Sequence, residues 1–536
     1  MSLASIPRLP IALRSLCAGL LLAVPAAAQA VLHTWGGATG AGLSAVTAVG
    51  DVDLDGKTDL ALGAPAENLG RGRVTLVSGA THATLFSVAG TLAGERFGAA
   101  VAPAGDVNGD GRLDLLVGAP GSALMTGSAT VLSGVDGAVL RTVTGSSLGA
   151  HFGAAVAGAG DSNGDGKADL LVGAPDHASG TGSGNGQVTL WSGANGSLLQ
   201  SVTGSSGDHL GIALGGWSMV DQEPMEIIGL TMEGNGGTGA VQIRSRTTFA
   251  LLATVPGTTA GASFGASIAR LGDVNGDGHP DVAVGAPGNG GSVSVLSGTN
   301  WSVLLGLPAP DTGTGFGSIV AEIGDVNGDG RADVAVGAPK ADKNGADSGE
   351  LMAYSGATGA LLSSVVGAAA GDLLGSSAAS AGDSDGDGRS EFALGSPGSD
   401  VAGPEAGGVS VVSLALWNTV ENGLPGLCDI PRLVGEGGLV DLSSASLSLT
   451  SGRPIAGATL VVGLSMILDA QHGVFVPTPD IVVTGLVTSG EGTLDYTFEL
   501  ATGLTSGSVI YQQFLLMDSS AEGGVSRSNT VAATVP

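Results

Sequence analysis

The hydrophobic residues of this 536-residue chain fall in short runs, such as Leu115-Leu116-Val117, Val188-Thr189-Leu190 and Val293–Leu296, each cut off by Gly, Asn, Asp, Ser or Pro. Runs of this length between turn formers predict strands joined by tight turns rather than helices. Four such runs recur in every stretch of about 55 residues, always with the same flanking motifs. A unit of four short strands repeated at that period is the signature of a propeller blade.

The motifs keep register along the chain. Six of the repeats open on Phe-Gly or Leu-Gly: Phe97-Gly98, Phe152-Gly153, Leu210-Gly211, Phe264-Gly265, Phe316-Gly317 and Leu374-Gly375. Gly-Ala-Pro begins at Gly63, Gly118, Gly173, Gly285 and Gly337, and becomes Gly395-Ser396-Pro397 in the last copy. A strand ending in Ser-Gly follows, as in Val74–Gly79 and Val188–Gly193, and then a last apolar strand, as in Ala138–Val143 and Ala360–Val366. Between the first two strands lies an acidic hairpin, with copies opening at Asp51, Asp106, Asp161, Asp273, Asp325 and Asp383, at steps of 55, 55, 112, 52 and 58 residues. The 112 is two periods, so one repeat has lost its hairpin: Trp217–Glu226 stands there, and its Asp221, Glu223 and Glu226 lack the spacing. Seven repeats, six with a hairpin, predict an all-β fold, a seven-bladed β-propeller. The last repeat runs out before its fourth strand, and Val31–Gly36 matches the fourth-strand segment Leu85–Gly90. The N-terminal segment is therefore expected to supply that strand and close the ring.

The hairpin carries the candidate chemistry. Asp106, Asn108, Asp110 and Asp114 occupy positions 1, 3, 5 and 9, with Gly111 at 6 and Arg112 at 7. Side-chain oxygens at this spacing, with the backbone carbonyl of position 7, converge as hard ligands on Ca²⁺, and the glycine admits the backbone bend. The other copies are Asp51, Asp53, Asp55, Lys57 and Asp59; Asp161, Asn163, Asp165, Lys167 and Asp169; Asp273, Asn275, Asp277, His279 and Asp281; Asp325, Asn327, Asp329, Arg331 and Asp333; and Asp383, Asp385, Asp387, Arg389 and Glu391. Position 7 is expected to coordinate through its carbonyl, which leaves the His279 imidazole pointing outward. Turn propensity alone places Asp, Asn and Gly in hairpins, but not at ligand positions six times in register. Magnesium suits all-protein oxygen cages less well, and the seven scattered histidines offer no zinc spacing. About six Ca²⁺ are the expected cofactors.

Phe-Gly, Asp-x-Asp/Asn-x-Asp-Gly-x-x-Asp and Gly-Ala-Pro, in that order, resemble FG-GAP repeats, the blades of the integrin α-chain N-terminal propeller. The resemblance covers roughly residues 31–416. It implies calcium hairpins on one face with a structural role, and recognition through loops of the opposite face, here 175–187, 340–349 and 399–408.

Composition changes this picture in three places. The net charge of −29 argues against nucleic acid, but twenty of the 48 Asp and Glu sit in the hairpins, and six Ca²⁺ would bring the charge to −17. Arg8 and Arg14, the apolar run Leu16–Val24 and Ala28-Gln29-Ala30 read as a signal peptide over residues 1–30. Its removal would take Cys17 and leave Cys428 with no partner for an intramolecular disulfide. No later run is long enough to span a membrane. A secreted or cell-surface location follows. Finally, the pattern stops at about Trp417: a linker over 417–435 leads to 436–536, where several short β runs predict a small C-terminal β-sandwich domain.

Two G-x-S-x-G matches, around Ser147 and Ser263, lie where a Phe-Gly strand begins rather than on a strand–turn–helix elbow. Gly234–Gly239 spells G-x-G-x-x-G without opening a helix. No catalytic or further cofactor residue is assigned. The expected function is a secreted, calcium-binding, non-enzymatic adhesion or binding module with an extracellular protein or polysaccharide ligand. A calcium-dependent hydrolase acting on phospholipid or polysaccharide, with a His–carboxylate cluster assembled across blades, and an architectural envelope component are the alternatives.

Overall fold

A computed structural model of the chain describes residues 28–415, apart from 44, 179–183, 216–224, 231–236, 385, 387 and 401, and beyond 415 the backbone of strands between Asn418 and Thr534. Residues 1–27 of the proposed signal segment, Cys17 among them, and Cys428 lie outside the described residues, as do Asp221, Glu223, Asp385 and Asp387. The fold is an all-β propeller built from four-stranded antiparallel sheets. Each blade is named here for the aspartate that opens its hairpin. The Asp106 blade runs Ala100–Gly105, Asp114–Ala119, Ser128–Leu132 and Val139–Thr144, each strand paired with the next. The Asp51, Asp161, Asp273 and Asp325 blades repeat this order.

The Asp383 blade is assembled from both ends of the described region. Ser377–Gly382, Glu391–Ser396 and Gly408–Ala415 are joined by Ala28–Gly36, which pairs antiparallel from Ala28 opposite Ala415 to Gly36 opposite Gly408. The strand starts three residues before Val31, so cleavage after Ala30 would trim its first three pairs and keep the rest. Beside this seam, Trp35 Nε1 donates to the His82 carbonyl at 3.3 Å, and the His33 and His82 rings stack at 4.4 Å.

Six hairpin-bearing blades are described, with residues 385 and 387 of the last hairpin outside the description, where the expectation is seven blades, six of them with a hairpin. The remaining place, between the Asp161 and Asp273 blades, is taken by a sheet of Leu214–Gly215, Met225–Leu230, Ala240–Ser245 and Leu251–Pro256, whose first two strands are joined through residues outside the description. Beyond the propeller, strands pair into sheets of six, three and two, the largest bringing Ala458–Gly463 beside Val509–Met517.

The second strand of a blade explains the unbroken apolar runs. Asp114–Ala119 and Asp169–Ala174 are buried along their whole length, because both faces of the blade are covered by neighbouring blades. The fourth strand, such as Thr84–Ala89, is largely exposed. The motif glycines close the seam between blades: Gly98 N donates to Gly118 O at 3.0 Å within one repeat. A Cβ on Gly118 would meet the carbonyl oxygen of Gly153 in the next blade.

Candidate functional site

Each hairpin folds by turning its own polar side chains onto its own amides. In the Asp161 loop, Asp161 Oδ1 accepts from Gly164 N at 2.6 Å and Asp165 N at 3.1 Å, while Oδ2 accepts from Gly166 N at 2.9 Å. Asn163 Oδ1 accepts from Asp165 N at 2.9 Å, and Asp165 Oδ1 from Lys167 N at 3.0 Å. The Asp273 and Asp325 loops repeat the same five bonds. Gly164 and Gly166, with φ of 80° and 81°, occupy the left-handed positions that this turn requires.

Position 9 has a second role that its spacing does not announce. Asp59, Asp114, Asp169, Asp281 and Asp333 are completely buried. One carboxylate oxygen accepts from the position-2 amide, as in Val107 N to Asp114 at 2.9 Å, which holds the start of the loop. The other accepts from the glycine of the Ser-Gly motif, as in Gly134 N to Asp114 at 3.1 Å, which ties the loop to the end of the third strand. The same pair of bonds recurs at Asp59, Asp169, Asp281 and Asp333. The Ser-Gly serine joins in: Ser78 Oγ donates to Asp55 Oδ2 at 3.0 Å. In the last blade the longer Glu391, also buried, accepts from Ser384 N at 2.5 Å and Ser384 Oγ at 2.8 Å.

The donor set fits a hard divalent cation. Oxygens bound 2.3–2.6 Å from one ion lie within about 5 Å of each other, and Asp51, Asp53 and Asp59 each offer an oxygen within 4.8 Å of the other two. Burial pushes the Asp114 and Asp169 carboxyls up to about 6 and that of Asp333 up to about 7, and raises Asp59 and Asp281 as well. Two exposed position-5 groups go the other way. Asp110 is held low by the Asn108 amide and the Arg112 N–H, and Asp277 by the His279 N–H and the Asn275 amide. The Asp106 and Asp273 loops thus set a buried carboxylate that resists ionising beside an exposed one that ionises readily, an arrangement that a bound cation would stabilise.

The structure also brings together a cross-blade group outside the hairpins. Asp176, just past the Gly-Ala-Pro of the Asp161 blade, contacts His151 Nδ1 at 2.7 Å and His209 Nδ1 at 3.3 Å. His151 and His209 each precede an opening Phe-Gly or Leu-Gly pair, and both have positive φ (52° and 47°). The one sequence signal for this group was the shared place of the two histidines in the repeat. Ser147 and Ser263 lie in the turns that lead into these pairs, away from any helix.

The FG-GAP repeat family matches residues 44–77, 97–134, 152–191, 264–296 and 316–351, which contain five of the six hairpins. The chain is an FG-GAP repeat propeller. Its relatives include integrin alpha-E of Mus musculus, 35% identical over 150 residues, and integrin alpha-X of Homo sapiens, 38% identical over 141 residues. These segments cover 24% and 23% of this chain but only 13% and 12% of the two relatives. Integrin alpha-4 of Xenopus laevis is 29% identical over 210 residues, 37% of this chain and 15% of that protein. The matches therefore span only about an eighth of the length of these relatives. Among the described residues, no helix is long and apolar enough to cross a membrane.

Proposed function

We propose that this FG-GAP propeller is a secreted, calcium-stabilised binding module that carries no catalysis of its own. The observation that supports it most is the recurrence of one oxygen-lined loop with a buried position-9 carboxylate and, in the Asp51 copy, three carboxylates within reach of one ion. When bound, calcium supplies the counter-charge that holds the loop carboxylates ionised and close. The chain's own residues give it donors at positions 1, 3, 5 and 9 of six loops, with the position-7 carbonyl completing each set. The Leu214–Pro256 sheet is counted as a seventh blade without a site, and the C-terminal strands as a β-sandwich. A site repeated around the ring serves the scaffold. Recognition of an extracellular protein or polysaccharide falls to loops such as 340–349. Calcium titration by calorimetry should show several equivalents bound per chain, and no heat would overturn the metal assignment. Capture from surface protein and polysaccharide fractions then identifies the ligand class.

A second reading, a calcium-dependent hydrolase, draws on the His151–Asp176–His209 group across blades. A screen with phospholipid and polysaccharide substrates decides it. Activity lost in His151→Ala would replace the binding-module reading.

A further inference from the structure

Position 7 was expected to matter only through its carbonyl, but its side chain does something that repeats. Lys57 Nζ, in the Asp51 blade, donates to the carbonyl of Asp383, position 1 of the preceding loop in the ring. Arg112, in the Asp106 blade, donates to the carbonyl of Val52, position 2 of the Asp51 loop. Lys167, in the Asp161 blade, donates to the carbonyl of Asn108 at 2.7 Å. Arg331, in the Asp325 blade, donates to the carbonyl of Asp273 at 2.9 Å and lies 3.5 Å from its Oδ1. Arg389 follows the same course, with its Nε 3.5 Å from where a Cβ of Gly328 would stand. Each cation leaves its own loop and sits on the opening segment of the loop behind it.

The glycines of two loops and the sequence at position 7 add to these contacts. In two loops the position-4 glycine forms the seat: a Cβ on Gly109 would collide with Lys167 Nζ, and one on Gly276 with the Arg331 guanidinium, whereas the Asp51 loop carries Leu54 at that position. Gly164, in the loop whose following sheet lacks the hairpin pattern, has nothing within 4 Å of that point, and neither has Gly386, whose loop Lys57 reaches at the Asp383 carbonyl alone. The sequence obeys the same logic. The five position-7 residues that follow a hairpin-bearing blade are Lys or Arg, and the one that follows the hairpin-less repeat is His279.

We infer that the position-7 cation is an inter-blade latch that holds the preceding blade's loop in its ligand-ready form. Five latches join six loops into one directed chain, from the Asp273 blade through Asp325, Asp383, Asp51 and Asp106 to Asp161, open at the Leu214–Pro256 sheet. In the four hydrogen bonds named above the cation occupies a backbone carbonyl, and Arg331 also lies beside a carboxylate oxygen of Asp273. The positive charge offsets part of the mutual repulsion of the loop carboxylates. The role as a positioning residue for the candidate metal loop rests on the calcium reading; the latch itself does not.

The test is a mutant cycle read by thermal unfolding, in excess calcium and in chelator. Gly109→Ala and Gly164→Ala carry equal backbone strain (φ 83° and 80°), but only the first evicts a neighbour's ammonium. Gly109→Ala should lower Tm more than Gly164→Ala by about 2–4 °C, and the two should fall equally in a Lys167→Met background. Lys167→Met should also speed amide exchange in residues 106–111 of the neighbouring blade, which a purely local packing role would not do. Lys343→Met, which removes an exposed pair with Asp311, serves as the control. Equal effects of the two glycine changes in the parent chain, or a difference that survives Lys167→Met, would overturn the latch. Melting that ignores calcium while the cycle holds would remove the metal reading and leave the latch standing.

Discussion

Replacing Asp114 by Ala separates the two roles of position 9, as a strut and as a ligand. The carboxylate is fully buried and accepts from Val107 N at 2.9 Å and Gly134 N at 3.1 Å. A methyl group accepts nothing, so two buried amides lose their partners at about 1–3 kcal/mol each, roughly 4 kcal/mol together. With an unfolding entropy near 2.1 cal/mol/K per residue over roughly 390 residues, about 1 kcal/mol moves Tm by about 1.2 °C. Asp114→Ala should then melt about 5 °C lower in chelator, where no ligand is lost. Calcium at tenfold its Kd adds about 1.4 kcal/mol per site, so the gap should widen by about 2 °C when the ion is present. Asp110→Ala supplies the contrast. Asp110 is exposed and accepts from the Asn108 amide and the Arg112 N–H, each at 2.8 Å, on the water side of the loop. Its replacement should cost about 0.5 kcal/mol or less in chelator, with the rest of its effect appearing only in calcium. Calorimetric melts of both variants under both conditions give the four numbers needed. An Asp114→Ala melt as mild as that of Asp110→Ala in chelator would refute the strut. An Asp110→Ala deficit that calcium does not enlarge would refute the ligand role.

Chelation of the parent protein should lower stability by about 8 kcal/mol if six sites are filled at tenfold their Kd, a fall of about 10 °C in Tm that calcium restores. Without metal, the raised carboxyls of Asp114, Asp169 and Asp333 bind protons more tightly folded than unfolded. Their contribution is fully present below the ordinary carboxyl range and is lost as pH rises through about 6 to 7. Chelated protein should therefore melt higher at pH 5.5 than at pH 8 by an amount that Asp333→Asn reduces, whereas calcium affinity, which needs the ionised forms, should weaken over the same interval. His82 works against this trend: burial and the neighbouring His33 lower its basicity, so stability is lost as pH falls below the ordinary histidine range, and His82→Phe should lessen that loss in the melting curves. Gly118→Ala drives a methyl group towards the Gly153 carbonyl of the next blade and should cost about 1–3 kcal/mol in a denaturant melt.

What the sequence revealed, and what it hid, follow from how local each feature is. The blade period, the motif order and the hairpin spacing are written in residues adjacent in the chain, so the all-β propeller and the six loops were readable directly. The closing strand was also legible, because Val31–Gly36 matches another repeat's fourth strand and only one blade lacked one. The carboxylate strut was hidden because its partner, Gly134, lies 20 residues on, in a motif whose purpose is apparent only once the third strand folds back. The cross-blade His151–Asp176–His209 group was hidden for the same reason on a larger scale, since its members belong to three successive parts of the repeat pattern.

Position 7 shows how a pattern can be visible and still be misread. Within a single loop, Lys57, Arg112, Lys167, Arg331 and Arg389 look like solvated side chains on a carbonyl ligand, and nothing within nine residues contradicts that. Compared across loops, their charge tracks whether the repeat behind them carries a hairpin, and His279 is the departure that exposes the correlation. A side chain that served only its own loop would have no reason to respond to the blade behind it. The geometry supplies that reason: Lys167 Nζ reaches Asn108, 59 residues earlier, and Gly109 lacks the Cβ that would block it. The hairpin is therefore better understood as a unit of two neighbouring blades, with its acidic ligands from one and its cationic support from the next. Loss of the hairpin pattern in one repeat then removes two things together, a candidate metal loop and the seat for the next blade's cation, which is why the substitution at position 279 falls where it does.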